Sequence, residues 1–154
     1  MDLYEILKLI HVLAAASWVG GVVLSQVQGA WVNKRNDPHD FNSFIDFQAY
    51  LGTRYFMPLA ITVVAAGIGM VLEAEAWSFG DTWILIGIAL FAASVAMGAG
   101  FLGPQSEKIK EGLASGGPPD TAIQARIKNV ILVSRIDTVV LILVVADMVI
   151  KPGL

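Results

Sequence analysis

Residues 7–21 read LKLIHVLAAASWVGG, an apolar stretch that contains a histidine, a tryptophan and a pair of glycines. This stretch lies inside a longer apolar run, residues 4–27, and an α-helix needs roughly 20 apolar residues to cross the core of a bilayer. Three more runs of this kind follow at residues 56–72, 83–102 and 130–150. The pattern predicts an all-α fold, in which residues 1–154 form a single integral membrane domain, a four-helix transmembrane bundle.

The composition supports a membrane protein and excludes several other classes. Hydrophobic residues make up 56% of the 154 residues and charged residues 15%, and the mean hydropathy is +0.68. The net charge of −3 offers no basic surface to nucleic acid, so the lipid bilayer is the expected partner. The chain has no cysteine, which excludes disulfides, thiolate metal sites, iron–sulfur clusters and covalently attached haem. Any redox chemistry would therefore need a cofactor that is bound without a covalent bond.

The loop charges predict how the chain is oriented in the membrane. Lys and Arg residues follow the first run and lie between the third and fourth runs, whereas the loop EAEAWSFGDT, residues 73–82, has none. Short basic loops stay in the cytoplasm. We therefore expect a multi-pass protein of the bacterial inner membrane with both termini on the outer, periplasmic side.

Two ionisable side chains fall inside the predicted spans near their outer ends, His11 and Asp147. Ionisable residues are costly in a membrane and usually face a bundle interior or a cavity. One interpretation of His11 is a neutral ring that packs against a neighbouring helix, with Asp147 as a hydrogen-bond partner. The other is an axial ligand of haem iron, with Met70 or Met148, at matching depth, as a second ligand or with no second ligand.

A second polar group is expected toward the cytoplasmic side, formed by Arg54, Arg135 and Asp137. Arg135 and Asp137 are two residues apart and do not share a helix face, so each is expected to find a different partner. Snorkelling and anchoring of the spans is one interpretation of these charges. The other is an ion-paired cluster that faces the bundle interior, where it would support a proton path or bind an anionic head group.

The spacing of His11, Trp18, Gly20 and Gly21 resembles the first helix of copper-resistance D-type membrane proteins and of HemJ-type protoporphyrinogen oxidases. The whole chain resembles a small bacterial family of predicted integral membrane proteins of unknown function related to them, also in RYFMPLAITVVAAGIGM and ADMVIKPGL. The resemblance implies a b-type haem held by His11, with Trp18 and the glycines shaping the wall. HemJ-type oxidases also require a lysine in a later span. Residues 83–102 contain no lysine, which argues against protoporphyrinogen oxidation.

Three functions remain open from the sequence. The first is a haem b protein that transfers electrons or handles a small redox substrate, and the second is a non-catalytic accessory subunit of a larger membrane complex. The third is a small ion or copper carrier, which would be expected to work as a homo-oligomer because four spans show no internal repeat. The chain has no nucleophile elbow, phosphate-binding loop or HExxH motif, so no catalytic residue is predicted.

Overall fold

The computed structural model describes residues 2–35, 37–114 and 120–153, and over these residues the chain is helical with no strand. The α-helices are α1 (Leu3–Arg35), α2 (Pro38–Leu51), α3 (Met57–Glu73), α4 (Thr82–Met97), α5 (Gly103–Leu113) and α6 (Thr121–Ile150). Two short π-helical turns, Gly52–Phe56 and Gly98–Leu102, join α2 to α3 and α4 to α5. The structure confirms the predicted all-α fold.

The described residues contain four helical segments that are long and apolar enough to cross a membrane: Leu3–Arg35, His39–Glu73, Thr82–Leu113 and Thr121–Ile150. They contain the four apolar runs of the sequence, so the predicted number of spans is confirmed. Each segment is longer than its apolar run. At 1.5 Å per residue, α1 alone is about 50 Å long, whereas the hydrocarbon core is about 30 Å thick.

Both π-helical turns occur just before a proline. Pro58 and Pro104 each stand at the second position of the following α-helix. Proline has no N–H group, so the ordinary helical hydrogen-bond ladder is interrupted there. At these positions the turns are wider: the N–H of Met57 donates to the Gly52 carbonyl and the N–H of Gly103 to the Gly98 carbonyl. The segment before the second apolar run is thus a continuation of the same helix.

The bundle consists of two antiparallel helix pairs, α1 with α3 and α4 with α6, and α1 also contacts α6. We call the two pairings the α1–α3 interface and the α4–α6 interface. Residues near both chain ends and the α3–α4 loop meet at one end of the bundle, where Trp77 Nε1 donates to the Tyr4 hydroxyl at 3.4 Å. There the Lys151 ammonium lies 4.2 Å from the centre of the Trp77 ring. We call this the terminal end.

The opposite end of the bundle, the loop end, holds the polar extensions of the helices. Asp37 caps α2 by accepting from the N–H groups of His39 and Asp40, and Asp120 caps α6 by accepting from the N–H of Ile123. The ion pair of Lys110 with Asp46, at 2.7 Å, ties α5 to α2. These contacts stabilise the parts of the helices that lie beyond the apolar runs.

Candidate functional site

His11 is held by the backbone of the neighbouring helix. Its Nδ1 lies 2.9 Å from the carbonyl oxygen of Val63 on α3. The ring comes this close because residue 67 is a glycine: a Cβ at that position would lie 3.2 Å from His11 Cε1. One of the glycines of the second apolar run therefore makes room for the histidine of the first.

This hydrogen bond determines which ring nitrogen carries the proton. A carbonyl oxygen only accepts, so the proton of a neutral His11 ring must lie on Nδ1. Nε2 then keeps its lone pair, and no described residue makes a hydrogen bond to it. The alternative hydrogen bond from His11 to Asp147 is not formed.

Trp18 lies two turns from His11 along α1 and is buried in the aromatic core of the bundle. Its ring centre is 5.1 Å from that of Phe91 on α4 and 6.3 Å from that of Phe56. Trp18 therefore joins the two helix pairs.

A contact that the sequence analysis did not predict lies nearby. The Tyr55 hydroxyl donates to the carbonyl of Ser17 at 2.8 Å. Gly21 permits this approach, because a Cβ there would lie 2.8 Å from Tyr55 Cε1. In the sequence, the glycine pair in residues 7–21 was the feature that could have indicated this close contact.

Asp147 lies in the other helix pairing, the α4–α6 interface. Its side chain packs against Gly87, where a Cβ would lie 3.2 Å from Asp147 Oδ2, and Met148 contacts the same glycine. Asp147 is 7% exposed, and both of its carboxylate oxygens are buried without a hydrogen-bond partner among the described residues. Met70, in contrast, lies on α3 three residues after Gly67 and is half-buried. The two methionines proposed as second ligands thus lie on helices of different pairs, Met70 on α3 and Met148 on α6.

The structure does not bring Arg54, Arg135 and Asp137 into one cluster. Arg54 and Arg135 are exposed on the outer surface of the single chain, and Asp137 is 7% exposed between α6 and α4. Asp137 faces Ser94 of α4, which is 2% exposed. Neither Ser94 Oγ nor Asp137 Oδ1 makes a hydrogen bond in the part of the chain that the structure describes.

The terminal end carries an aromatic cluster that the sequence analysis also missed. The rings of Trp77 and Trp83 meet edge to face with their centres 5.3 Å apart, and the Lys151 ammonium lies 5.2 Å from the Trp83 ring centre. Trp77 comes from a loop and Lys151 follows the last helix, so no helical periodicity connects them. Only the bundle topology places them together.

These observations define the class of the protein as a four-helix integral membrane protein. The chain belongs to the family described as predicted integral membrane protein (DUF2269), which matches residues 5–152. No curated protein and no solved structure matches the chain.

Proposed function

We propose that this protein binds a b-type haem in the membrane and that Nε2 of His11 is the axial ligand of the iron. The observation that carries the proposal is the hydrogen bond between His11 Nδ1 and the Val63 carbonyl. Histidine ligands of metals commonly donate their other ring N–H to a carbonyl or carboxylate, which fixes the tautomer and the ring orientation. His11 meets this requirement without any other side chain.

The rest of the donor set also favours haem over a bare metal ion. Among the described residues, no group of three or more His, Asp or Glu side chains is placed to hold a metal. A porphyrin supplies four nitrogen ligands itself, so a single imidazole is enough to attach its iron. Met70, on the same helix as Val63, would be the methionine to supply a second ligand, because Met148 lies in the α4–α6 interface.

The function that follows is one-electron transfer within the membrane. Haem supplies one-electron chemistry when bound, and the protein contributes the axial ligand, its hydrogen bond and an apolar surrounding that tunes the potential. His11 lies eight residues inside α1, which places it about 12 Å from the terminal end of that helix. This depth suits electron exchange with a partner at that surface. The likeness of residues 7–21 to copper-resistance D-type and HemJ-type proteins agrees with the proposal.

The test is the haem content of three purified proteins from haem-replete expression: wild type, His11→Ala and His39→Ala. The chain has two histidines, so His39, exposed at the start of α2, is the matched control. The wild type and His39→Ala should show the same Soret absorbance per amount of protein. His11→Ala should lack the Soret band. A wild type without haem, or full retention in His11→Ala with an unchanged spectrum, would contradict the proposal and favour an accessory subunit.

We also propose that the protein lies in the bacterial inner membrane with the terminal end on the periplasmic side. The support is the distribution of cations, because Lys34, Arg35 and Lys110 lie at the loop end. Reporter fusions after Ser78 and after Ala114 should behave as periplasmic and cytoplasmic, respectively. The reverse result would place His11 in the cytoplasmic half of the membrane.

A further inference from the structure

The α4–α6 interface contains a buried acid at the middle of a helix. Asp137 lies 16 residues after the start of α6 and 13 residues before its end. Within the apolar run 130–150 it lies seven residues, about 10 Å, from the end of the run that is nearer the loop end. Its side chain is buried between α6 and α4, in a segment where an ionised group is costly. Residue 137 therefore needs a neutralising partner.

The helices around Asp137 do not provide one. No side chain in α4 or in the adjoining Gly98–Leu102 turn is titratable. In α1, the residues between His11 and Lys34 carry no ionisable group, and the ionisable residues of α5, Glu107, Lys108, Lys110 and Glu111, are exposed at the loop end. On α6 itself, Arg135 is exposed, whereas Asp137 is buried. No cation of the described residues makes an ion pair with Asp137.

In the part of the chain that the structure describes, the polar group beside Asp137 is the hydroxyl of Ser94. Ser94 Oγ is fully buried and also lacks a hydrogen-bond partner. A hydroxyl both donates and accepts, so it complements a protonated carboxyl group, which also does both. The polar surroundings that Ser94 offers to Asp137 thus suit a neutral carboxyl group and include no cation.

We propose that Asp137, buried beside Ser94 in the α4–α6 interface, is a proton-binding site within the membrane-spanning part of the bundle, in which the Asp137 carboxyl holds the proton. Burial without a counter-charge disfavours the ionised carboxylate, and a proton is the smallest cation that removes the charge. The site is separate from the His11 position, which lies in the α1–α3 interface. It gives this membrane protein a group that can take up and release protons within the bilayer.

The test uses infrared spectroscopy of the protein in lipid bilayers at neutral pH. A protonated carboxyl group has a C=O stretching band above the amide region, and this band shifts when H₂O is replaced by D₂O. Every protein compared carries Asp147→Leu, because Asp147 is a second buried acid without a partner and would contribute a band of its own. In this background we expect such a band with Asp137 present, its loss in Asp137→Asn and a frequency shift in Ser94→Ala. Asp46→Asn is the control, because Asp46 is exposed and paired with Lys110, so the band should not change.

Two results would overturn the proposal. One is a band of equal size and frequency in the Asp147→Leu background alone, with Asp137→Asn and with Ser94→Ala, which would assign it to another carboxyl group. The other is disappearance of the band of the Asp147→Leu protein on titration with NaCl against a choline chloride control, which would show that the site binds a metal cation. If Asp137→Asn does not fold, the Ser94→Ala shift and the salt titration still decide the question.

Discussion

The two helix interfaces of this bundle differ in whether their buried polar groups have hydrogen-bond partners. In the α1–α3 interface, His11 and Tyr55 each bond to a backbone carbonyl of the opposing helix. In the α4–α6 interface, Asp137 and Asp147 have buried oxygens without a hydrogen-bond partner in the described residues. Both interfaces use glycines to bring the helices close, so the contrast lies in the polar groups and not in the packing.

The contrast suggests that the two interfaces have different functions. A side chain that is oriented by a backbone bond is pre-organised, and its remaining nitrogen is available to a ligand. An acid without a hydrogen-bond partner is instead energetically costly in the bilayer interior. Such acids in membrane proteins mark ion or proton sites.

One of the tight contacts in the α1–α3 interface is that of His11 with Gly67. Gly67→Leu should displace the imidazole from Val63, lower stability by about 3 kcal/mol and reduce haem content, because overpacking forces side chains and backbone to shift. Gly20→Leu is the control, since nothing lies within 4 Å of a Cβ at that position. Thermal unfolding in detergent and Soret absorbance measure both effects. Equal losses of stability and of haem content in Gly67→Leu and Gly20→Leu would show that the effect does not depend on the contact with His11.

Apolar replacement should have opposite signs in the two interfaces. His11→Leu removes a hydrogen bond and should destabilise the haem-free protein by about 1 kcal/mol. Asp147→Leu removes a buried acid that has no partner and should stabilise it by about 1 to 2 kcal/mol, because such groups cost more than they contribute. Unfolding curves of both variants, measured in the same detergent, give the comparison. Destabilisation by Asp147→Leu would mean that this carboxylate has a partner outside the chain.

The smallest effect is expected at the terminal end of the α4–α6 interface. Lys151→Met keeps the length of the side chain and removes the charge that lies over the Trp77 and Trp83 rings. The expected loss is about 0.5 to 1 kcal/mol, as for other cation–π contacts with limited desolvation. Tryptophan fluorescence should report the change locally. No change in emission or in unfolding would show that the Lys151 charge does not stabilise the cluster with Trp77 and Trp83.

The spans were predictable because bilayer thickness imposes a length on every apolar run. The helix ends were less predictable, since α1 continues through polar residues to Arg35 and α6 begins at Thr121, well before its apolar run. Capping groups such as Asp120 and contacts at the loop end determine these boundaries. Hydropathy does not predict such contacts, so it does not predict these helix ends.

The candidate site was predictable only in part. An ionisable residue within an apolar run, such as His11 or Asp147, can be identified as a candidate from the sequence alone. The partners of such residues cannot be identified in this way. The acceptor for His11 is a backbone carbonyl, a group that every residue possesses, and its position follows from the register of α1 on α3. The separation of Arg135 from Asp137 likewise depends on how α6 is rotated against α4.

The central claim is that the Val63 carbonyl holds His11 with its proton on Nδ1 and leaves Nε2 free to bind a metal. The most direct measurement is ¹⁵N NMR of His39→Ala protein in bilayers, in which His11 is the single histidine, labelled on both ring nitrogens. The account predicts a neutral Nδ1–H ring without cofactor and a shift of the Nε2 resonance on addition of zinc protoporphyrin, a diamagnetic analogue of haem. A proton on Nε2 in the cofactor-free protein, or an Nε2 resonance that the porphyrin leaves unchanged, would contradict it.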